Sequence, residues 1–208
     1  MGRRQAEMLI GFDFDNTIAC YDKAIARLAD ELFDLPANVP RTKVGLRDYL
    51  RRKDREPEWT AFQGSLYGPG MRYAEPFGGA IETMAQLKKC AHEMVIVSHR
   101  SLHPYSGPKY DLHQAARDWV AKHFQKHGFF TNSQVCFLET REAKIETIDR
   151  LGCNVFLDDL PEVLDAPNFP VDTLGILFDP VAHETQKDTR RLTISQWHHL
   201  PNLLTSKY

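Results

Sequence analysis

The feature that most limits the fold of this chain is a short apolar run that ends at two carboxylates. Residues Met8 to Phe12 carry no polar side chain, and Asp13 and Asp15 follow directly. A run of this kind is typical of a strand that is buried on both faces of a parallel sheet. Because side chains alternate across a strand, both carboxylates should point to the same side of its carboxyl end. Open α/β sheets bind their ligands at that end, so we expect a functional site there.

The proximity of Asp13 and Asp15 predicts a bound cation. Two like charges this close repel each other, and one carboxylate tends to stay protonated unless a cation joins them. Oxygen ligands suit a hard metal ion. We therefore expect a hard-metal site that contains a carboxylate nucleophile.

Four further apolar segments predict strands, and helical patterns separate them along the chain. Strands that alternate with helices indicate an α/β fold with a doubly wound parallel sheet. A last helix is expected within Thr193–Leu204, around Trp197. The five predicted strands are Met8–Phe12, Met94–Val97, Gln134–Leu138, Asn154–Leu157 and Leu174–Phe178.

Residues 22–74 show no alternating pattern and predict a small helical insert. Helices are expected from about Lys23 to Phe33, from the cap Thr42 to about Arg52, and onward from Pro57. The core then comprises residues 1–21 and 75–208. The insert is locally basic, and its cations could meet an anionic substrate or form a solvated surface.

Composition excludes several classes of partner. The formal net charge of -2 gives no support for nucleic-acid or anionic-membrane binding. No apolar run reaches the roughly 18 residues that span a bilayer. Arg3 and Arg4 precede no long apolar segment, since the two acids interrupt it, and the four cysteines form no CxxC pair. We expect a cytoplasmic protein with buried, reduced thiols.

Three more polar features occur at strand ends or helix starts. Ser98 follows the second predicted strand, Lys144 lies early in a helix that Thr140 can cap, and Asp158 with Asp159 follows the fourth strand. The segments FDFDNT, VIVSHR, AKIETI and VFLDDL resemble the four motifs of the haloacid dehalogenase-like (HAD) hydrolase superfamily. The resemblance covers all but the insert and the tail. It implies the strand order 5-4-1-2-3 and a helical cap between the first two motifs.

The resemblance implies a division of labour among the acidic residues. Asp13 is the expected nucleophile, which forms an aspartyl-phosphate intermediate and ligates Mg²⁺ through its other oxygen. Asp15 is the expected general acid and base, and its backbone carbonyl is a further metal ligand. Asp158 is the expected carboxylate ligand, with Asp159 as a ligand or a neighbour of the ligands.

The remaining candidates are expected to bind the substrate. The resemblance implies that Ser98 donates a hydrogen bond to a phosphoryl oxygen and that Lys144 stabilises the charge of the transition state. The stretch from His99 to Tyr110 is long for a loop between a strand and a helix, which favours a functional role. Within it, His99 and Arg100 are candidate substrate-binding residues, and the alternative is a polar surface loop.

These expectations define a Mg²⁺-dependent phosphatase that acts on a small phosphorylated metabolite, such as a sugar phosphate or a nucleotide. An acid at Asp15 favours phosphoryl transfer over dehalogenation, because a halide leaves without a proton. Two alternatives stay open at this point. One is a phosphotransferase or mutase of the same fold, and the other is a non-catalytic metabolite-binding module.

Overall fold

The strands form a six-stranded parallel sheet and a separate two-stranded sheet. A computed structural model of the chain describes residues 7–182 and 191–207. The order in the large sheet is β5-β4-β1-β6-β7-β8, and β2 pairs with β3 in the small sheet. The strands are β1 (Leu9–Phe12), β2 (Ala19–Cys20), β3 (Glu75–Pro76), β4 (Glu93–His99), β5 (Val135–Leu138), β6 (Val155–Asp158), β7 (Leu174–Phe178) and β8 (Leu192–Ile194).

In the described residues, helices occur in the chain between β4 and β5, between β5 and β6, and between β6 and β7 of the large sheet. The bounds of several helices match the sequence patterns closely, because Thr42 and Thr140 cap them through their side chains. The helices are α1 (Asp22–Leu32), α2 (Lys43–Arg52), α3 (Glu56–Tyr67), α4 (Ala80–Lys89), α5 (Leu112–His123), α6 (Arg141–Leu151), α7 (Pro161–Leu164) and α8 (His199–Lys207). Short 3-10 helices span Pro69–Tyr73, Gln125–His127 and Asn132–Gln134.

The predicted α/β class and doubly wound parallel sheet are confirmed. Numbered along the sequence, the five predicted strands lie in the expected order 5-4-1-2-3, and β8 extends the sheet beyond the fifth strand. The tail prediction was wrong in part, since Thr193 lies in β8 and the helix begins only at His199. A strand of three residues is too short to show an alternating pattern of apolar and polar side chains. The position of β8 is determined by its pairing with β7, in which Leu192 lies beside Ile176.

The centre of the large sheet is β1, which is hydrogen-bonded to β4 on one side and to β6 on the other. Ile10 and Phe12 are fully buried, as expected for a strand covered on both faces. Gly11 is needed for close packing, because a Cβ atom there would lie 2.5 Å from Cδ2 of Phe156. This packing fixes the position of the carboxyl end of β1.

The chain divides into two compact units. Unit 1 comprises the described residues of 1–19, 76–99 and 123–208, and unit 2 comprises 20–75 and 100–122. Unit 2 therefore contains the helical insert and also residues 100–122, which the sequence analysis assigned to the core. Contacts within unit 2 explain the difference. The Trp119 indole donates a 2.9 Å hydrogen bond to the carbonyl of Ala74, and Pro104 lies against Gly64 of α3.

Aromatic side chains contribute to the core of unit 2, where the ring centres of Trp59 and Phe62 lie 5.7 Å apart and those of Phe33 and Phe62 lie 5.9 Å apart. Many basic side chains of the insert are neutralised locally. Arg51 pairs with Glu56 at 2.6 Å, and Arg41, Arg47 and Arg55 also have carboxylate partners. These pairs favour the solvated-surface interpretation of the basic insert.

Two further sequence expectations concern the thiols and the membrane. All four cysteines are free, but only Cys153 is buried, so the expectation of generally buried thiols was wrong. In the described part of the chain, no helix combines the length and the apolar character needed to cross a membrane.

Candidate active site

The site lies at the carboxyl edge of the large sheet, where β1, β4 and β6 end side by side. Phe12 pairs with Ile96 of β4 and with Leu157 of β6, so the residues that follow these positions meet at the edge. The backbone N–H of Asp13 donates a 2.8 Å hydrogen bond to the carbonyl of Leu157. This bond extends the ladder by one residue and holds Asp13 beside the end of β6.

Lys144 reaches this edge from α6. Thr140 caps the helix by accepting a 3.1 Å hydrogen bond from the N–H of Ala143. The same helix face carries Lys144, Ile145 and Ile148, all of which are buried. The Lys144 ammonium lies 2.6 Å from Oδ1 of Asp13 and 2.6 Å from Oδ2 of Asp158. Lys144 is thus a buried cation that bridges two buried carboxylates.

Ser98 is the second donor to Asp13. Its hydroxyl donates a 2.8 Å hydrogen bond to Oδ1, the same oxygen that Lys144 contacts. Two donors on one oxygen fix the orientation of the carboxylate and leave Oδ2 for another partner. Asp13 is only 3% exposed, so these interactions occur in a largely dehydrated setting.

Three carboxylates form an acidic cluster, which we define as Asp13, Asp158 and Asp159. One oxygen from each lies within 4.8 Å of the others. The backbone N–H of Leu160 donates to Oδ1 of Asp158 at 3.1 Å, and the Thr17 hydroxyl lies 3.5 Å from Oδ1 of Asp159. An all-oxygen set of this size fits a hard divalent cation such as Mg²⁺.

Electrostatics support the same conclusion. Burial raises the pKa of Asp158 above its usual range even though Lys144 opposes the shift. Burial, followed by the charges of Asp13 and Asp158, raises the pKa of Asp159. Burial alone would lower the pKa of Lys144, but the two carboxylates outweigh it and raise that pKa. The cluster therefore carries more negative charge than one ammonium balances, and a divalent cation would relieve the excess.

Asp15 lies in a tight turn that follows β1. The N–H of Asn16 donates to the carbonyl of Ala19 at 3.0 Å, and Asn16 adopts a positive φ of 57°. Asp15 is half-buried, and it lies near enough for its charge to act on the pKa of both Asp159 and His99. The turn therefore keeps the second carboxylate of the motif near the acidic cluster.

Comparison with known proteins identifies structures of similar fold, whereas the comparisons of sequence found no match. No protein-family model matches the chain, and no curated protein matches it. The solved structure of the HAD-hydrolase YfnB from Bacillus subtilis, bound to magnesium, is similar with a TM-score of 0.61 and 13% identity over 95% of this chain and 98% of that chain. The chain has the HAD fold.

Other solved structures with the HAD fold resemble the chain to the same degree. One is described as a "predicted phosphatase" from Clostridium acetobutylicum, with a TM-score of 0.58 and 13% identity over 97% of this chain and all of that chain. Another is described as a dehalogenase, with a TM-score of 0.57 and 16% identity over 95% and 97% of the two chains. Structures with the HAD fold thus carry names for both chemistries, and the choice between them must come from the residues.

The structure brings most of the predicted site residues of this chain to the carboxyl edge of the large sheet. These are Asp13, Asp15, Ser98, Lys144, Asp158 and Asp159. His99 follows Ser98 at the end of β4 and is half-buried, with a buried Nδ1 that has no hydrogen-bond partner among the described residues. Arg100 belongs to unit 2, where its guanidinium lies 5.6 Å from the centre of the Tyr67 ring.

The sequence analysis missed the role of Trp197 in supporting the site. Its indole N–H donates a 3.1 Å hydrogen bond to the carbonyl of Thr17, and its ring lies 5.4 Å from that of Phe12. Trp197 thus anchors the turn that carries Asp15. The sequence signal for this role was a single tryptophan in a polar tail. Such a residue indicates a buried contact but does not say which part of the chain it supports.

A cavity of about 450 Å³ lies within unit 2, and its lining contains none of the predicted site residues. It is bounded by the 3-10 helix Pro69–Tyr73 and by α5, with Met71 and Trp119 among its lining residues. Charged side chains of both signs, including Arg72 and Asp118, lie beside these apolar groups.

Proposed function

We propose that this protein is a Mg²⁺-dependent phosphohydrolase that cleaves phosphomonoesters of small metabolites through an aspartyl-phosphate intermediate. One observation carries the proposal. The buried carboxylate of Asp13 is oriented by Ser98 and Lys144 within a three-carboxylate cluster, and Asp15 follows two residues later. This arrangement supplies a fixed oxygen nucleophile, a cation, a hydroxyl donor and a second carboxylate for proton transfer.

The donor set fits the metal that this chemistry requires. Asp13, Asp158 and Asp159 would hold Mg²⁺ through carboxylate oxygens. Burial first, and then neighbouring negative charge, raises the pKa of Asp158 and of Asp159, and a bound cation would offset both effects. When bound, Mg²⁺ neutralises charge on the phosphoryl oxygens and on the attacking carboxylate. The remaining contributions come from the chain itself.

In the first step, a carboxylate oxygen of Asp13 attacks phosphorus while the bond from phosphorus to the ester oxygen breaks. Asp15 gives its proton to the leaving oxygen, which departs as an alcohol. Lys144 and Ser98 already lie at the Asp13 carboxylate, so the phosphoryl group arrives beside a cation and a hydroxyl donor. Their placement before the reaction lowers the reorganisation required in the transition state.

In the second step, Asp15 takes a proton from water as the water oxygen attacks phosphorus. The bond between phosphorus and Asp13 breaks, which releases inorganic phosphate and restores the free carboxylate. Asp15 ends this step protonated, ready for the next substrate. Splitting one displacement into two replaces a difficult attack by water with two easier steps.

Asp15 favours phosphate esters over halides as substrates. An ester oxygen needs a proton to leave, and a halide does not. A carboxylate that stays close to the acidic cluster is therefore useful for phosphoryl transfer and unnecessary for dehalogenation. Whether water or another alcohol accepts the phosphoryl group is measured by comparing free phosphate with phosphorylated acceptor.

The test is a phosphate-release screen over a library of phosphorylated metabolites, with Mg²⁺ and with a chelator. The wild type should release phosphate only with Mg²⁺. Asp13→Asn should lose at least about 10³-fold in kcat, and Asp15→Asn about 10² to 10⁴-fold. Asp172→Asn is the matched control, because this aspartate is exposed and should leave the rate unchanged. Equal rates in Asp13→Asn and the wild type would refute the mechanism.

A further inference from the structure

Arg141 is the first residue of α6 and occupies the same stripe as Lys144 and Ile145, three and four positions later. Side chains of a helix lean toward its N-terminus. The N-terminus of α6 follows the carboxyl end of β5, at the edge where the acidic cluster lies. Arg141 is thus placed on the face of α6 that carries the buried Lys144, at the end of the helix nearest to the carboxyl edge of the sheet.

Strand register gives an independent indication of this proximity. His99 at the end of β4 pairs with Leu138 at the end of β5, and Arg141 follows Leu138 by three residues. Burial lowers the pKa of His99, and the charges of Lys144 and Arg141 lower it further, while Asp13 and Asp15 act in the opposite direction. The guanidinium therefore lies close enough to act on the histidine next to Ser98.

The interactions of Arg141 with its neighbours give little stabilisation to a positive charge at the start of α6. Among the described residues, the carboxylate partner of Arg141 is its neighbour Glu142 at 3.4 Å, and both side chains are about half exposed. Exposed pairs of this kind contribute little stability. A cation in the first turn of a helix also opposes the helix dipole. The guanidinium is therefore available to an anion from outside the chain.

We propose that Arg141 binds a second anionic group of the substrate, so that the preferred substrates are phosphomonoesters with a carboxylate or a second phosphate a few bonds from the scissile phosphate. The proposal rests on the proposed phosphohydrolase activity. Cβ atoms three residues apart on a helix are about 5–6 Å from each other, so Arg141 and Lys144 can reach two anionic groups that are a few bonds apart in one substrate. A planar guanidinium suits either anion, because it can donate two parallel hydrogen bonds.

The test compares substrates that differ in the second group alone. The probes are 3-phosphoglycerate, which carries a carboxylate, glycerol 1,3-bisphosphate, which carries a phosphate, and glycerol 3-phosphate, which carries a neutral hydroxymethyl group. The wild type should favour an anionic probe over glycerol 3-phosphate in kcat/KM. Arg141→Gln should lower that preference about tenfold, and Arg141→Lys should retain part of it. Arg150→Gln, an exposed position at the other end of α6, is the control that should retain the preference.

The comparison of the two anionic probes identifies the group that Arg141 binds. An equal loss on all three probes in Arg141→Gln would show a structural role, and an unchanged preference would show no role. Both results would overturn the proposal. If the wild type hydrolyses none of the probes and also releases no phosphate in the metabolite screen, the phosphohydrolase activity fails instead. Calorimetric binding of the same probes to Asp13→Asn, with and without Arg141→Gln, then decides the proposal without turnover.

Discussion

Replacing Lys144 with methionine should destabilise the protein strongly, because it leaves two carboxylates buried without their cation. Methionine keeps most of the side-chain volume, so the loss is mainly electrostatic. Asp13 and Asp158 each lie 2.6 Å from the ammonium, with side-chain exposures of 4% and 0%. Removing one partner from such a pair costs about 3–5 kcal/mol. For a chain of this length, we expect the melting temperature to fall by about 6–20 °C.

The assay is thermal unfolding followed by circular dichroism in the presence of a chelator. Lys126→Met, at an exposed position, is the control and should change the free energy of unfolding by less than about 0.5 kcal/mol. The addition of Asp158→Asn to Lys144→Met should restore part of the loss, because it removes one unpaired charge. A loss below about 1 kcal/mol in Lys144→Met would refute the buried ion-pair interpretation.

The same variant has a pH dependence with a defined sign. Without the ammonium, Asp158 loses the cation that opposes the effect of burial, so its pKa in the folded state lies further above the value of about 3.9 for an unfolded chain. The folded state then binds more protons than the unfolded state, so the free energy of unfolding rises as the pH falls from about 7 towards 4. The gap between Lys144→Met and the wild type should therefore narrow in acid. A gap that widens would contradict this reasoning.

Three further predictions test the metal site and the packing. Mg²⁺ should raise the melting temperature more at pH 8 than at pH 6, because protons compete for carboxylates whose pKa values are raised, and equal shifts would contradict this. Asp159→Asn should raise the melting temperature in chelator and abolish the response to Mg²⁺, as measured in the same scans. Gly11→Ala should cost about 1–3 kcal/mol in urea unfolding because of the clash with Phe156, whereas Gly78→Ala has no atom within 4 Å and should cost less.

The positions of the acidic residues could be predicted from the sequence because each follows a buried strand. An apolar run that stops at a carboxylate defines both the strand and its end, as for Asp13 after β1 and Asp158 at the end of β6. Parallel strands bring these ends to one edge of the sheet. Lys144 could be placed because Thr140 marks the start of its helix. Local sequence patterns were therefore enough to predict the positions of most site residues.

Features that depend on tertiary packing could not be predicted in this way. The assignment of residues 100–122 to unit 2 depends on the fit of Pro104 against Gly64 and on the bond from Trp119 to Ala74. Neither contact leaves a periodic signal. The double contact of Lys144 is also invisible in the sequence, since a lysine on a helix is usually solvated.

The central claim is that Asp13 forms a covalent phosphoryl intermediate. It is tested most directly by acid-quenching the enzyme during turnover with Mg²⁺, reducing it with borohydride, and analysing the peptide that contains Asp13 by mass spectrometry. Borohydride reduces an acyl phosphate to an alcohol. The account therefore predicts homoserine at position 13 in the quenched wild type. It predicts no homoserine in Asp15→Asn that is quenched before substrate is added. Phosphate release by the wild type without any modified Asp13 in early time points would contradict the account.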